Sequence, residues 1–211
     1  TYFGMFTFLT HKIVVIPVML ATGFSMALVP AITKLYTQRK FDEVRQSMDQ
    51  TLSILLFITV PAVVGISLLA DDIYHLLYSK SDMGAQVLAN YAPVAILFAL
   101  FSVTAALLQG IDYQKWIVSS LIIGVLTKLA LNTYLIELFE VNGAILATAI
   151  GYAVTITINF IVIVRVLQYR SAQLLKHIST IVLLTAAMAL SVYGAGFLMD
   201  SWLAHDTKLQ A

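Results

Sequence analysis

Six apolar runs, each close to the ~20 residues a helix needs to cross a bilayer, constrain this chain more than anything else in it. They cover roughly 13–33, 51–70, 87–110, 117–136, 143–164 and 179–199. Hydrocarbon offers no partner for an open strand edge, so spans of this kind must be helices. The expected fold is all-α, a polytopic membrane bundle of six transmembrane helices within a single membrane domain, 1–211. Composition agrees. The chain is 60% hydrophobic and 11% charged, against about 25% charged for an ordinary soluble domain.

Loop charge sets the orientation. Lys34, Arg39, Lys40, Arg45, Lys115, Arg165, Arg170 and Lys176 fall in the first, third and fifth connections. Lys12, Lys80 and Lys208 fall on the other side. By the positive-inside rule, the loops 34–50, 111–116 and 165–178 are cytoplasmic. In loop 34–50, Leu35, Phe41, Val44 and Met48 recur at near-helical spacing among charges. That pattern fits a short amphipathic interfacial helix, or a solvated basic loop. The chain opens TYFGMF, with no initiator Met and no signal-peptide pattern, and stops at DTKLQA. A piece of a longer protein is expected.

No catalytic set stands out, so no enzyme is expected. His11, His75, His177 and His205 are scattered without metal-ligand spacing. There is no cysteine, and no nucleotide or hydrolase motif that would imply a cofactor. A net charge of +1 without a basic tail gives no footprint for nucleic acid. Asp71–Asp72 reads as a solvated helix end or as a paired carboxylate for a cation.

The informative residues lie inside the spans. Pro17, Pro30, Pro61 and Pro93 each remove a backbone hydrogen bond and bend a helix, in a bundle that moves or in a static one. Ala144, Thr148, Gly151, Thr155 and Asn159 share one face, with small residues suited to close helix packing. Asn159 is placed either to line a wet cavity or to satisfy a neighbouring backbone group. In "IGVLTKLALN" (123–132), Gly124, Lys128 and Asn132 also share a face. A lysine at the centre of a membrane helix costs ~2.5–3.5 kcal/mol on insertion scales. Lys128 therefore either reaches outward to the interface, where Glu137 and Glu140 stand, or faces a hydrated cavity. In a transporter such a cavity would favour an anionic group such as phosphate.

Two stretches, "LATGFSMALVPAITKLYTQRKFDEV" (20–44) and "KLALNTYLIELFEVNGAILATAIGY" (128–152), resemble the polysaccharide-exporter and lipid II flippase branch of the multidrug/oligosaccharidyl-lipid/polysaccharide (MOP) superfamily. The first carries the small-residue run and "LVP-x-I" of that branch, then a polar loop. The second carries its lysine–asparagine helix, short turn and "G-A-x-x-A-T". The resemblance covers nearly the whole chain. It implies the C-terminal lobe of a two-lobed, MATE-like transporter, with the N-terminal lobe missing from this chain. It implies translocation of a lipid-linked saccharide, carried on undecaprenyl pyrophosphate, across the bacterial cytoplasmic membrane by alternating access and without ATP hydrolysis. The partners it implies are that substrate, the missing lobe and membrane lipids. Lys128, Asn132 and Asn159, already candidates from their place in the runs, would line the cavity of such a transporter. His11 and Lys12 stand where the family places a cavity arginine. The alternatives are a cation-coupled drug antiporter of the same fold, although the six runs hold no Asp or Glu, and a non-transporting structural subunit.

Overall fold

The computed structural model describes residues 10–78 and 82–168. Six helices follow one another: α1 (His11–Thr37), α2 (Phe41–Leu68), α3 (Ala70–Tyr78), α4 (Asp82–Tyr91), α5 (Val94–Gly110) and α6 (Gln114–Leu167). Four stretches are long and apolar enough to cross a membrane: Lys12–Thr37, Phe41–Leu68, Gly84–Gly110 and Gln114–Leu167. At 1.5 Å per residue the first two reach about 40 Å, enough for a ~30 Å hydrocarbon core.

The fourth stretch, with 54 residues, would reach about 80 Å if straight, which no bilayer accommodates. It reverses at Glu140, whose backbone (φ 51, ψ −124) is not helical. Residues 114–139 (α6a) and 141–167 (α6b) are antiparallel partners: Ser120 bonds Asn159, and Gly124 packs on Gly151 and Thr155. The described residues therefore hold five helical stretches of crossing length. The sixth expected span, 179–199, lies outside the described residues, as do Lys80, Arg170, Lys176, His177, His205 and Lys208.

Three apolar clusters hold the described helices together, one towards each end and a small one in which Val87 of α4, Val94 of α5 and Ile145 of α6b meet. At the end expected to be cytoplasmic, Ile32 of α1, Val44 and Met48 of α2, Leu107 and Leu108 of α5, and Ile163 and Leu167 of α6b bury one another. At the other end, Ile13 and Val14 of α1 pack with Val63 of α2, Tyr74 of α3 and Leu88 of α4. The crossings thus alternate in direction, which puts Lys34, Arg39, Lys40, Arg45, Lys115 and Arg165 at one end.

Loop 34–50 differs from expectation. There is no separate interfacial helix and no long basic loop. Helix α1 runs to Thr37 and α2 begins at Phe41. The turn between them is tight because Arg39 adopts a left-handed conformation (φ 58). The Lys40 N–H then donates to the Leu35 carbonyl and the Arg39 N–H to the Tyr36 carbonyl, a Schellman closure. The same closure recurs at 111–113: Asp112 has φ 64, and the Tyr113 and Asp112 N–H groups donate to Leu108 and Gln109. The amphipathic pattern in 35–48 is real, but Val44 and Met48 turn to the protein core and not to lipid. Arg45 adds a long-range tie. Its Nε donates to the Leu167 carbonyl at 2.7 Å, where a cation complements the negative end of α6b.

The prolines divide into two groups. Pro17 and Pro30 lie within α1, and Pro61 within α2. Pro93 stands at the start of α5, where it separates α4 from α5 and splits the expected 87–110 span. Just past α2, α3 sits at the end away from Lys34 and Arg45. Ala70 and Tyr74 pack inward, while Leu76 is 86% exposed and Leu77 also faces out. Asp71, Asp72 and His75 occupy the opposite arc, the arrangement of an interfacial helix.

Candidate functional site

Lys128 sits midway along α6a, twelve residues from Trp116 and twelve from the reversal at Glu140. That is about 18 Å from either end of the arm. It is half-buried, against α6b. The two arms approach closely because glycines face each other: a Cβ placed on Gly151 would lie 2.9 Å from the Gly124 carbonyl oxygen and 3.1 Å from Lys128 Cβ. Close approach at small residues is the usual route to tight helix pairs in lipid. It leaves a cleft of about 150 Å³ beside the crossing, lined by Gly124, Val125 and Lys128 on one arm and Thr148, Gly151, Tyr152 and Thr155 on the other.

Next to it lies a second cleft of about 210 Å³, between Val14, Val15 and Val18 of α1, Tyr91 of α4, Phe98 of α5 and Tyr152 of α6b. Tyr152 borders both. Its ring meets Phe98 with centroids 5.8 Å apart and planes at 82°, and Phe101 at 5.9 Å. Such packing fixes a ring in place.

The other expected residues separate. Asn132 lies one turn beyond Lys128 on the same face, half-buried, outside the cleft wall. Lys12 is exposed at the start of α1, one turn before Val15 of the second cleft. His11 opens α1, and its side chain lies outside the described residues. Asn159 is fully buried. It accepts from Ser120 Oγ at 2.6 Å and donates to Thr104 Oγ1 at 3.5 Å, tying α5, α6a and α6b together. Thr155 donates to the Gly151 carbonyl at 3.0 Å and lies 3.3 Å from the Ser120 carbonyl.

The Asn159 node contributes modestly to stability. Without Asn159, Ser120 still reaches the Ile117 carbonyl and Thr104 the Leu100 carbonyl. Polar contacts between membrane helices average ~0.6 kcal/mol and reach ~1.7. Asn159→Ala in the full-length protein is expected to lower stability by about 1 kcal/mol in a denaturant titration and to leave the fold intact.

Sequence reasoning did not find Tyr152, Phe98 and Tyr91. Among 11% aromatic residues in apolar runs they carry no local signal. The shared face of Thr148, Gly151 and Thr155 pointed at the right side of α6b, and Tyr152 adjoins it.

The cleft is chemically simple. Its lining includes one lysine, Lys128, the hydroxyl-bearing Thr148 and the ring of Tyr152, which suits an anionic, partly apolar ligand better than bond-making chemistry.

Known proteins resemble this chain over nearly its whole length. The model of the lipid II flippase MurJ family matches residues 9–210. The lipid II flippase MurJ of Bacillus subtilis is 42% identical over 213 residues, covering 99% of this chain and 39% of that protein. The probable flippase AglR of Haloferax volcanii is 28% identical over 167 residues, covering 78% of this chain and 34% of its own length. A solved structure of lipid II flippase MurJ, in an inward closed conformation, superposes with a TM-score of 0.67 at 18% identity. It covers 88% of this chain and 41% of that one, a likeness of fold. The chain spans about two fifths or less of these proteins.

Proposed function

Because this chain belongs to the lipid II flippase MurJ family, we propose that it is the C-terminal lobe of a bacterial cytoplasmic-membrane flippase. Its substrate is a saccharide linked to undecaprenyl pyrophosphate, which it carries from the inner to the outer leaflet by alternating access. The observation that supports this reading is Lys128, which lines a cleft with Thr148 midway along an apolar helical arm. Intramembrane ionisable residues mark substrate paths by default, and the diphosphate is the charged part of such a lipid. Lysine attracts it as a point charge, without the bidentate fork of arginine.

Lys12 and His11 stand at the outer mouth on this reading, and Asn132 one turn above the cleft. Asn159 helps hold the two arms of α6 together. A second lobe, carried by the remainder of the protein, closes the cavity, since transport of this type needs two halves rocking about a shared site.

The test is reconstitution of the full-length protein in vesicles with a fluorescent undecaprenyl-pyrophosphate saccharide in one leaflet. Protein-dependent appearance of the lipid in the other leaflet is expected. Movement no faster than in protein-free vesicles would refute the proposal.

A further inference from the structure

We infer that Tyr152, supported by Phe98 and Phe101, forms a saccharide subsite next to Lys128, on which a pyranose ring of a diphosphate-linked lipid stacks. The inference rests on the flippase reading above and adds to it the part of the site that recognises sugar.

Three observations converge on Tyr152. First, it borders both clefts, so whatever ligand lies beside Lys128 continues along its ring. Second, the ring is immobilised: Phe98 meets it at 82° and Phe101 at 48°, with centroids 5.8 and 5.9 Å away, and Phe98 and Phe101 contact each other at 6.3 Å. A fixed aromatic surface gives contact area with little conformational entropy to lose. Third, Tyr152 and Phe98 are only half-buried, so part of each ring remains open to the clefts.

The chemistry fits a sugar. One side of a pyranose ring presents polarised C–H groups, and the face of an aromatic ring carries the negative lobe of its quadrupole. The other side presents hydroxyls, which can donate to Thr148 Oγ1 in the cleft wall, whose own proton goes to the Ala144 carbonyl. An acyl chain would use the apolar surface but leave Lys128 without a counter-charge. Free phosphate would use Lys128 and leave the rings idle. A sugar joined to a diphosphate uses both at once. The two clefts together reach the lower end of the ~300–1,000 Å³ typical of small-molecule sites.

The experiment measures binding of two probes to the full-length protein in nanodiscs: undecaprenyl diphosphate, and undecaprenyl diphosphate bearing one N-acetylhexosamine. Wild type is expected to bind the sugar-bearing lipid more tightly. Tyr152→Leu is expected to weaken the sugar-bearing lipid about tenfold and to leave the bare diphosphate within twofold. Tyr152→Phe keeps the ring and restores the difference. Lys128→Met weakens both lipids alike. Should Tyr152→Leu fail to fold, Phe98→Leu on the neighbouring helix reads out the same difference. If Tyr152→Leu weakens both lipids equally, or neither, the subsite is overturned. Equal binding of both lipids by wild type, with Lys128→Met weakening both, overturns the subsite alone. If wild type binds neither lipid, the flippase reading falls with it.

Discussion

Gly143→Val is expected to lower the thermal midpoint of the purified full-length protein sharply, by more than any substitution in the Asn159 node. A Cβ on Gly143 runs into the Leu135 carbonyl and lies 2.8 Å from the Ile136 nitrogen. Both obstacles are backbone, so no side chain can swing aside. The chain folds back on the last turn of α6a here, and any side chain at 143 must push the two arms of α6 apart. Overpacking typically costs ~1–3 kcal/mol and occasionally more; with no soft neighbour, about 3 kcal/mol is expected. Gly23 is the control, because a Cβ there meets nothing within 4 Å. Gly23→Ala is expected to be neutral or to stabilise by roughly 0.5–1 kcal/mol, since glycine is the poorer helix former. A Gly143→Val protein as stable as wild type would mean the arms do not pack as described.

Gly124→Leu is the second large effect, and it joins packing to function. A Cβ at 124 meets Thr155 Oγ1 and lies 2.7 Å from the Gly151 carbonyl oxygen. Thr155 could rotate, but only by giving up its contacts with Gly151 and Ser120. The Gly151 carbonyl cannot move without bending α6b. A leucine would wedge the crossing open and fill the cleft beside Lys128. About 2–3 kcal/mol of destabilisation is expected, with transport lost at temperatures where the protein remains folded. Thermal unfolding and the leaflet assay, run on the same preparation, separate the two effects. Full transport by Gly124→Leu would show that this cleft is not on the substrate path.

Much of this fold was legible in the sequence, because lipid leaves a helix few options. Run length pointed to the long apolar helices, and Lys34, Arg45, Lys115 and Arg165, grouped by the alternating Lys/Arg bias, gather at one end. The reversal at Glu140 falls within the short polar interval between two apolar runs. The i, i+4 spacing of Gly124 and Lys128 put both on the face that meets α6b. What pattern could not supply was the partner of each face. Val44 and Met48 have the periodicity of an interfacial helix, yet they pack on α5 and α6b, because Schellman turns at 38–40 and 111–113 bring those helices together. Asn159 and Lys128 look alike as polar residues in apolar runs. They separate in space because Asn159 lies level with Ser120 and Thr104, whereas Lys128 lies level with a glycine. The aromatic group of Tyr152, Phe98 and Phe101 joins residues about fifty positions apart and has no local signature.

On the proposed function, Lys128 meets the charged headgroup of a lipid-linked substrate. This contact is tested most directly by leaflet translocation in vesicles containing the full-length protein with Lys128→Met, beside Lys128→Arg, at matched protein levels. The methionine keeps the length and apolar stem of lysine while removing the charge, and the half-buried site accepts it without a new cavity. Lys128→Met is expected to lower the translocation rate at least tenfold while Lys128→Arg retains most of it. Wild-type translocation by Lys128→Met would remove Lys128 from the substrate path.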